Sequence, residues 1–167
     1  MQKLFLFFIA LFIGCNTTAQ VNLDSLWNVW NDKTQQDTNR LKAMNKIVWK
    51  GYLFSQPDSA FHFAQMQYDL AESINNKIQM ANALNMQGVS FYIVGDYDKA
   101  LDYYTRSLKI KEKIGDKKDI ANSLNNIGII YYEQGDYTKA IDYYTRSLEI
   151  KEEIGDKRGI ANCLNNI

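Results

Sequence analysis

The sequence predicts an all-α chain, a solenoid of antiparallel helix pairs, and three observations carry that prediction. First, residues 88–127 are followed by forty residues, 128–167, that repeat them at roughly 28 of 40 positions, which marks an internal repeat. Second, the same register runs backwards, setting Ala60 under Ala100, Ile74 under Ile114, Ala81 under Ala121 and Leu84 under Leu124. Third, Gly-Asp pairs at 95–96, 115–116, 135–136 and 155–156 punctuate the chain about every twenty residues. Glycine closes a helix in the left-handed conformation at little steric cost, and aspartate caps the next helix by accepting from its free amides. Each unit therefore carries two amphipathic helices that cannot bury their apolar faces alone and must stack on neighbouring units.

The chain opens on MQKLFLFFIALFIGCNTTAQ, with one early lysine, an apolar run from Leu4 to Ile13 and then small polar residues. This pattern predicts a secretory signal peptide over residues 1–19, since the run is far shorter than the roughly 20 residues that span a bilayer. Two exits compete. Thr17-Thr18-Ala19 offers small residues for a cut that leaves Gln20 as the new N-terminus, whereas Phe12-Ile13-Gly14-Cys15 resembles a lipoprotein box, which usually has leucine where Phe12 stands. The small-residue site favours the simple cut.

Residues 20–39 are expected to form a capping helix and a loop. Leu23, Leu26, Trp27 and Trp30 fall at helical spacing, and the stretch from Asn31 to Asn39 has no apolar residue. Repeat units are expected at about 40–76, 77–116 and 117–156, with a partial fourth at 157–167. The first is worn. Leu41, Met44, Ile47, Val48, Tyr52 and Leu53 form its first apolar face, and Pro57 suits the first position of a second helix from Asp58 to about Ile74. In the second unit, helix A is expected from about Lys77 to Val94 and helix B from about Tyr97 to Ile114. Ile167 falls within helix A of the fourth unit, so the sequence reads as a fragment of a longer chain or, alternatively, as an array capped by that helix.

The pattern Leu124-x-x-Ile127-Gly128-x-x-Tyr131 with Ala140, Tyr144 and Ser147, matched by Leu84, Gly88, Phe91, Ala100, Tyr104 and Ser107, resembles the tetratricopeptide repeat family. Its period exceeds the usual 34 residues and is similar to the long-helix subgroup with units reading IGDK..IA..LNNIG, found in peptide-binding adaptors and bacterial sensory proteins. The resemblance implies a right-handed superhelix of about three repeats plus a partial fourth. It implies close A–B approach at Gly88 and Gly128, and a concave surface lined by A helices that holds another protein's peptide. Val48 at the glycine position and Ala64 at the aromatic one depart from the pattern in the first unit.

Asparagines recur outside the packing pattern: Asn82 and Asn85, Asn122 and Asn125, Asn162 and Asn165, with Asn126 and Asn166 beside them. A spacing of three puts both amides of each pair on nearly one face of helix A. Each carboxamide donates and accepts, as gripping a peptide backbone requires; the alternative is an amide ladder between repeats that satisfies itself. Tyr92 and Tyr132 are expected near that face as partner contacts, with Tyr104, Tyr131 and Tyr144 packed between helices. Lys99, Arg106, Lys109 and Lys113, with Lys139, Arg146, Glu149 and Glu153, read as a solvated convex surface of the B helices.

Nothing in the sequence assembles a catalytic site. His62 is the single histidine and the two cysteines, Cys15 and Cys163, are far apart, so no catalytic triad, metal site, disulfide or cofactor site is expected. Lys plus Arg and Asp plus Glu each number 19 and are scattered singly, unlike the basic footprint of a nucleic-acid binder. The expected function is a non-catalytic, exported scaffold for protein interaction, periplasmic or membrane-associated in a Gram-negative bacterium, through the asparagine-lined groove. Anchoring would come from a lipidated Cys15 or a missing C-terminal segment. The alternative is the extracytoplasmic sensory region of a longer histidine kinase or nucleotide cyclase.

Overall fold

A computed structural model describes residues 23–167; the leader over 1–19 and Cys15 lie outside the described residues. The described chain is helical throughout: α1 over 23–31, α2 Asp37–Ile47, α3 Pro57–Ser73, α4 Lys77–Ile93, α5 Tyr97–Ile114, α6 Lys117–Glu133, α7 Tyr137–Glu153 and α8 Lys157–Asn166. Among these residues no helix is long and apolar enough to cross a membrane. Each helix packs chiefly on its neighbours in sequence, as a solenoid requires.

The punctuation works as the sequence predicts. Gly95, Gly115, Gly135 and Gly155 all have positive φ, and Asn75 stands in for the glycine in the first unit with φ 53°. The carboxylates of Asp96, Asp116, Asp136 and Asp156 accept from the backbone N–H three residues on, at 3.0–3.2 Å, and the Asn76 side chain accepts from Gln79 in the same way.

Helices A and B of a unit run antiparallel, because contacts pair early residues of one with late residues of the other. Ser107 Oγ donates to the Ala81 carbonyl at 2.8 Å, while Gly88 lies against Tyr104 and Ala100. The next unit repeats this geometry with Ser147 donating to Ala121 at 2.7 Å and Gly128 under Tyr144. A Cβ at Gly88 or Gly128 would fall 2.6–2.7 Å from the tyrosine ring, so glycine is what lets the ring lie flat on the neighbouring helix. The first unit solves the same problem with the sizes exchanged: Val48 and Ala64 are both fully buried in one cluster with Trp30, Met44, Ile47, Leu53, Ala60 and Met86. A valine fills the space that a tyrosine fills elsewhere.

Two features differ from expectation. Helix α2 begins at Asp37, inside the stretch expected as loop, because its first turn needs no apolar residue: Arg40 pairs with the Asp37 carboxylate at 2.7 Å and donates to the Trp30 carbonyl at 3.0 Å. Its C-terminal end then widens into one π-helical turn, Val48–Tyr52, where Leu53 N–H donates to the Val48 carbonyl at 2.9 Å.

On the outer side, cations expected to stand in solvent lie over aromatic faces. Lys99 sits 5.1 Å from the Phe91 ring and Arg106 5.0 Å from Tyr103, with Phe91 and Tyr103 stacked on each other at 5.5 Å. Lys139, Tyr131, Tyr143 and Arg146 repeat the stack one unit later, so these side chains cover apolar surface as well as carry charge.

Candidate functional site

The A helices α4, α6 and α8 each begin at an Asx cap, and the same spacing from that cap places their asparagines at equivalent points. Stacking then joins them across units. Asn126 Nδ2 donates to Asn85 Oδ1 at 3.2 Å, and Asn166 Nδ2 donates to Asn125 Oδ1 at 3.1 Å. These rungs are the internal amide ladder, and they occupy one acceptor each on Asn85 and Asn125. Among the described residues the Nδ2 groups of those two asparagines donate to no partner. Asn82 and Asn122 take no part in the rungs.

Asn82, Asn85 and Asn122 meet Asn45, Trp49, Met86, Lys111, Asp119 and Asn126 around one hollow of about 240 Å³ across α2, α4 and α6. The ladder is interrupted at its first step, because Met86 stands where Asn126 and Asn166 stand in later units. Asn162 is exposed, and Asn165 lines a separate hollow of about 470 Å³ with Tyr132, Glu133 and Tyr144. Tyr92 is half-buried and donates from its hydroxyl to Glu133 Oε1 at 3.4 Å; burial, then the Glu133 carboxylate, raises its pKa. Tyr132 is 53% exposed, with its ring edge against Tyr137 at 5.5 Å. Tyr92 and Tyr132 therefore lie outside the hollow that gathers Asn82, Asn85 and Asn122.

Sequence reasoning missed Asn45, Trp49, Lys111 and Asp119. Asn45 lies forty residues before Asn85, a signal that was present in the register, whereas Trp49 is delivered by the π-helical turn. Lys111 is 6% exposed and donates from Nζ to Ser123 Oγ at 2.9 Å. Burial lowers its pKa, with Asp119 and Asp116 pulling it back up. The equivalent positions hold Ala71 and Ala83 one unit earlier, and Lys151 with Cys163 one unit later, where Nζ and Sγ are 3.3 Å apart. Although Lys111 and Ser123 are as close as a base and a nucleophile, Ser123 is 1% exposed inside α6. A substrate has no path to its hydroxyl.

What the hollow offers is a row of amide donors and acceptors, one indole, one cation and one carboxylate, a set suited to holding a polar chain. The tetratricopeptide repeat family profile matches residues 79–153 and, in an overlapping register, 119–167, which together exceed half of the sequence. The chain belongs to the tetratricopeptide repeat family. Solved structures agree on the fold. The tetratricopeptide repeat domain of Arabidopsis FLU aligns with a TM-score of 0.64 at 22% identity, over 71% of this chain and 99% of that one. BtubC from P. vanneervenii aligns with a TM-score of 0.66 at 14% identity, over 90% of this chain and 70% of that one. At such identities the likeness is one of fold. No curated protein sequence matches this one. Members of this family are typically scaffolds for protein interaction, and membership suggests that coarse role for this chain.

Proposed function

We propose that the chain is a non-catalytic, exported scaffold that holds an extended segment of a partner protein along the concave face of its A helices. The observation that supports this most is the gathering of Asn82, Asn85, Asn122 and Asn126 with Trp49 around one hollow of about 240 Å³. Carboxamides can donate to and accept from a peptide backbone irrespective of its side chains, while an exposed indole supplies apolar contact area of the kind that dominates interface energetics. Export rests on the N-terminal pattern, with removal after Ala19 as the expected processing and lipidation of Cys15 as the competing route.

Selecting a displayed peptide library against the chain tests the groove. Enriched peptides should bind Asn82→Ala/Asn122→Ala about tenfold more weakly or worse, because each lost hydrogen bond is worth about 1 kcal/mol. Enrichment that survives this double substitution unchanged rules the groove out. Mass spectrometry of cell fractions tests export: an N-terminus at Gln20 or a lipid on Cys15 supports it, and an intact Met1 in the cytosol overturns it.

A further inference from the structure

We propose a second binding site, apart from the asparagine groove, in which the junction of the first and second units receives an arginine side chain of a partner protein. The junction occurs twice in this chain, so one copy is a control for the other. Between the second and third units, positions 97, 98, 101, 130, 131 and 134 are Tyr97, Asp98, Leu101, Ile130, Tyr131 and Gln134. There Gln134 Nε2 donates to Asp98 Oδ1 at 2.9 Å and spans the junction. Forty residues earlier the same positions are Pro57, Asp58, Phe61, Ser90, Phe91 and Val94, and they line a hollow of about 150 Å³. Three exchanges open it: Pro57 for a tyrosine, Ser90 for an isoleucine and Val94 for a glutamine. The space equals the share of about five waters at about 30 Å³ each, or one long side chain.

Its chemistry selects the occupant. Phe61 and Phe91 meet edge to face at 5.2 Å and form walls with Pro57 and Val94, which is 55% exposed. Asp58 keeps the carboxylate of its counterpart Asp98, but Val94 has no side-chain N–H to offer it, and its backbone N–H donates to the Ser90 carbonyl. Among the described residues no cation lies within ion-pairing distance of Asp58. Apolar walls with one unpaired anion at the rim fit an apolar stem with a cationic head. The aromatic faces of this chain already accept such heads, as Lys99 does for Phe91 and Arg106 for Tyr103. Lys99 is itself held by the Asp96 carboxylate at 2.7 Å, so its charge opposes an incoming cation only weakly. Arginine fits better than lysine, since a planar guanidinium can stack on a ring and pair with a carboxylate through two N–H groups.

Titrating the ¹⁵N-labelled chain with N-acetyl-arginine methylamide, and in parallel with N-acetyl-norleucine methylamide, tests the site by NMR. Saturable shifts at the backbone amides of Phe61, Phe91 and Val94, produced by the arginine probe alone, are expected. Asp58→Asn should weaken the response about tenfold, and Val94→Gln should do the same by supplying the amide that closes the other junction. Asn82→Ala/Asn122→Ala should leave it unchanged, which separates this site from the peptide groove. No saturable shift, an equal response to norleucine, or full binding by both Asp58→Asn and Val94→Gln overturns the proposal.

Discussion

Gly88 lies beneath the ring of Tyr104, where a Cβ would be 2.6 Å from Cδ1 and 2.7 Å from Cε1. The tyrosine is 4% exposed and wedged between helices, so it cannot swing away. Gly88→Ala is expected to destabilise the chain by about 1–3 kcal/mol, the usual cost of forcing an extra carbon into a packed interior. Thermal unfolding of the single variant measures it.

The first unit supplies a compensating pair, because Val48 and Ala64 occupy the positions of Gly88 and Tyr104. Tyr104→Ala alone should cost about 3–5 kcal/mol as a cavity. Gly88→Val/Tyr104→Ala should be more stable than the sum of its two single variants predicts, with a favourable coupling of about 0.5–3 kcal/mol in a double-mutant cycle. Strict additivity would show that the exchange of sizes in the first unit is unrelated to its packing.

This packing was legible because the forty-residue register shows which side chains share a place. Gly115 and Asp116 announced their turn, and Gly88 and Gly128 the close approach of helices A and B, whereas the seating of the Tyr104 ring on Gly88 is seen only in the fold. The register was less informative where neighbouring copies interact. Asn85 bonds Asn126 and not Asn125, since adjacent A helices meet with an offset of one beyond the period. The π-helical turn at Val48–Tyr52 has no cue in its residues, and without it Trp49 is merely another aromatic on a helix. Lys111, four residues before a closing glycine, reads as a solvated cation favoured by the helix C-terminus. Only the paired change from Ala71 and Ala83 to Lys111 and Ser123 marks it as buried against the next helix.

The two asparagine classes should separate by experiment. Asn85→Ala removes the acceptor of a half-buried rung and should lower the melting temperature, since Asn126 loses its partner. Asn82→Ala/Asn122→Ala removes no rung and should change the stability by no more than ordinary surface substitutions do, about 0.5 kcal/mol. Equal destabilisation by both would mean that the hollow is held together by all of its amides, leaving none for a partner.

Lys111→Met should leave the chain as stable as the wild type at neutral pH or more so, because a buried ammonium with one serine partner gives way to an apolar side chain of similar length. The sign of the pH effect follows from burial. Since the folded-state pKa of Lys111 is lowered, the unfolded chain binds more protons between that value and the ordinary 10.5, and wild-type stability rises with pH through that window. Urea unfolding from pH 7 to 10 should show that rise in the wild type and a smaller one in Lys111→Met. Above pH 10 the opposite effect enters, because burial raises the phenol pKa of Tyr104 and Tyr144 and the unfolded chain ionises first.

Two of the capping carboxylates are expected to contribute to the acid limb. Asp96 and Asp136 are held below the ordinary value of 3.8, first by the side-chain hydrogen bonds from Lys99 and Lys139 and then by the backbone N–H groups of those same residues. Their stabilisation is therefore complete above the unfolded-state pKa and is lost as pH falls through the lower folded-state value. Asparagine caps a helix about as well as aspartate but carries no titrating charge. Asp96→Asn/Asp136→Asn should accordingly unfold with a shallower dependence on pH below 4 while retaining most of its stability at pH 7. Asp96→Ala/Asp136→Ala should lose stability at both, because it removes the acceptor as well as the charge. Melting curves at a series of pH values distinguish the two. An asparagine variant as acid-sensitive as the wild type would assign the acid limb to other carboxylates.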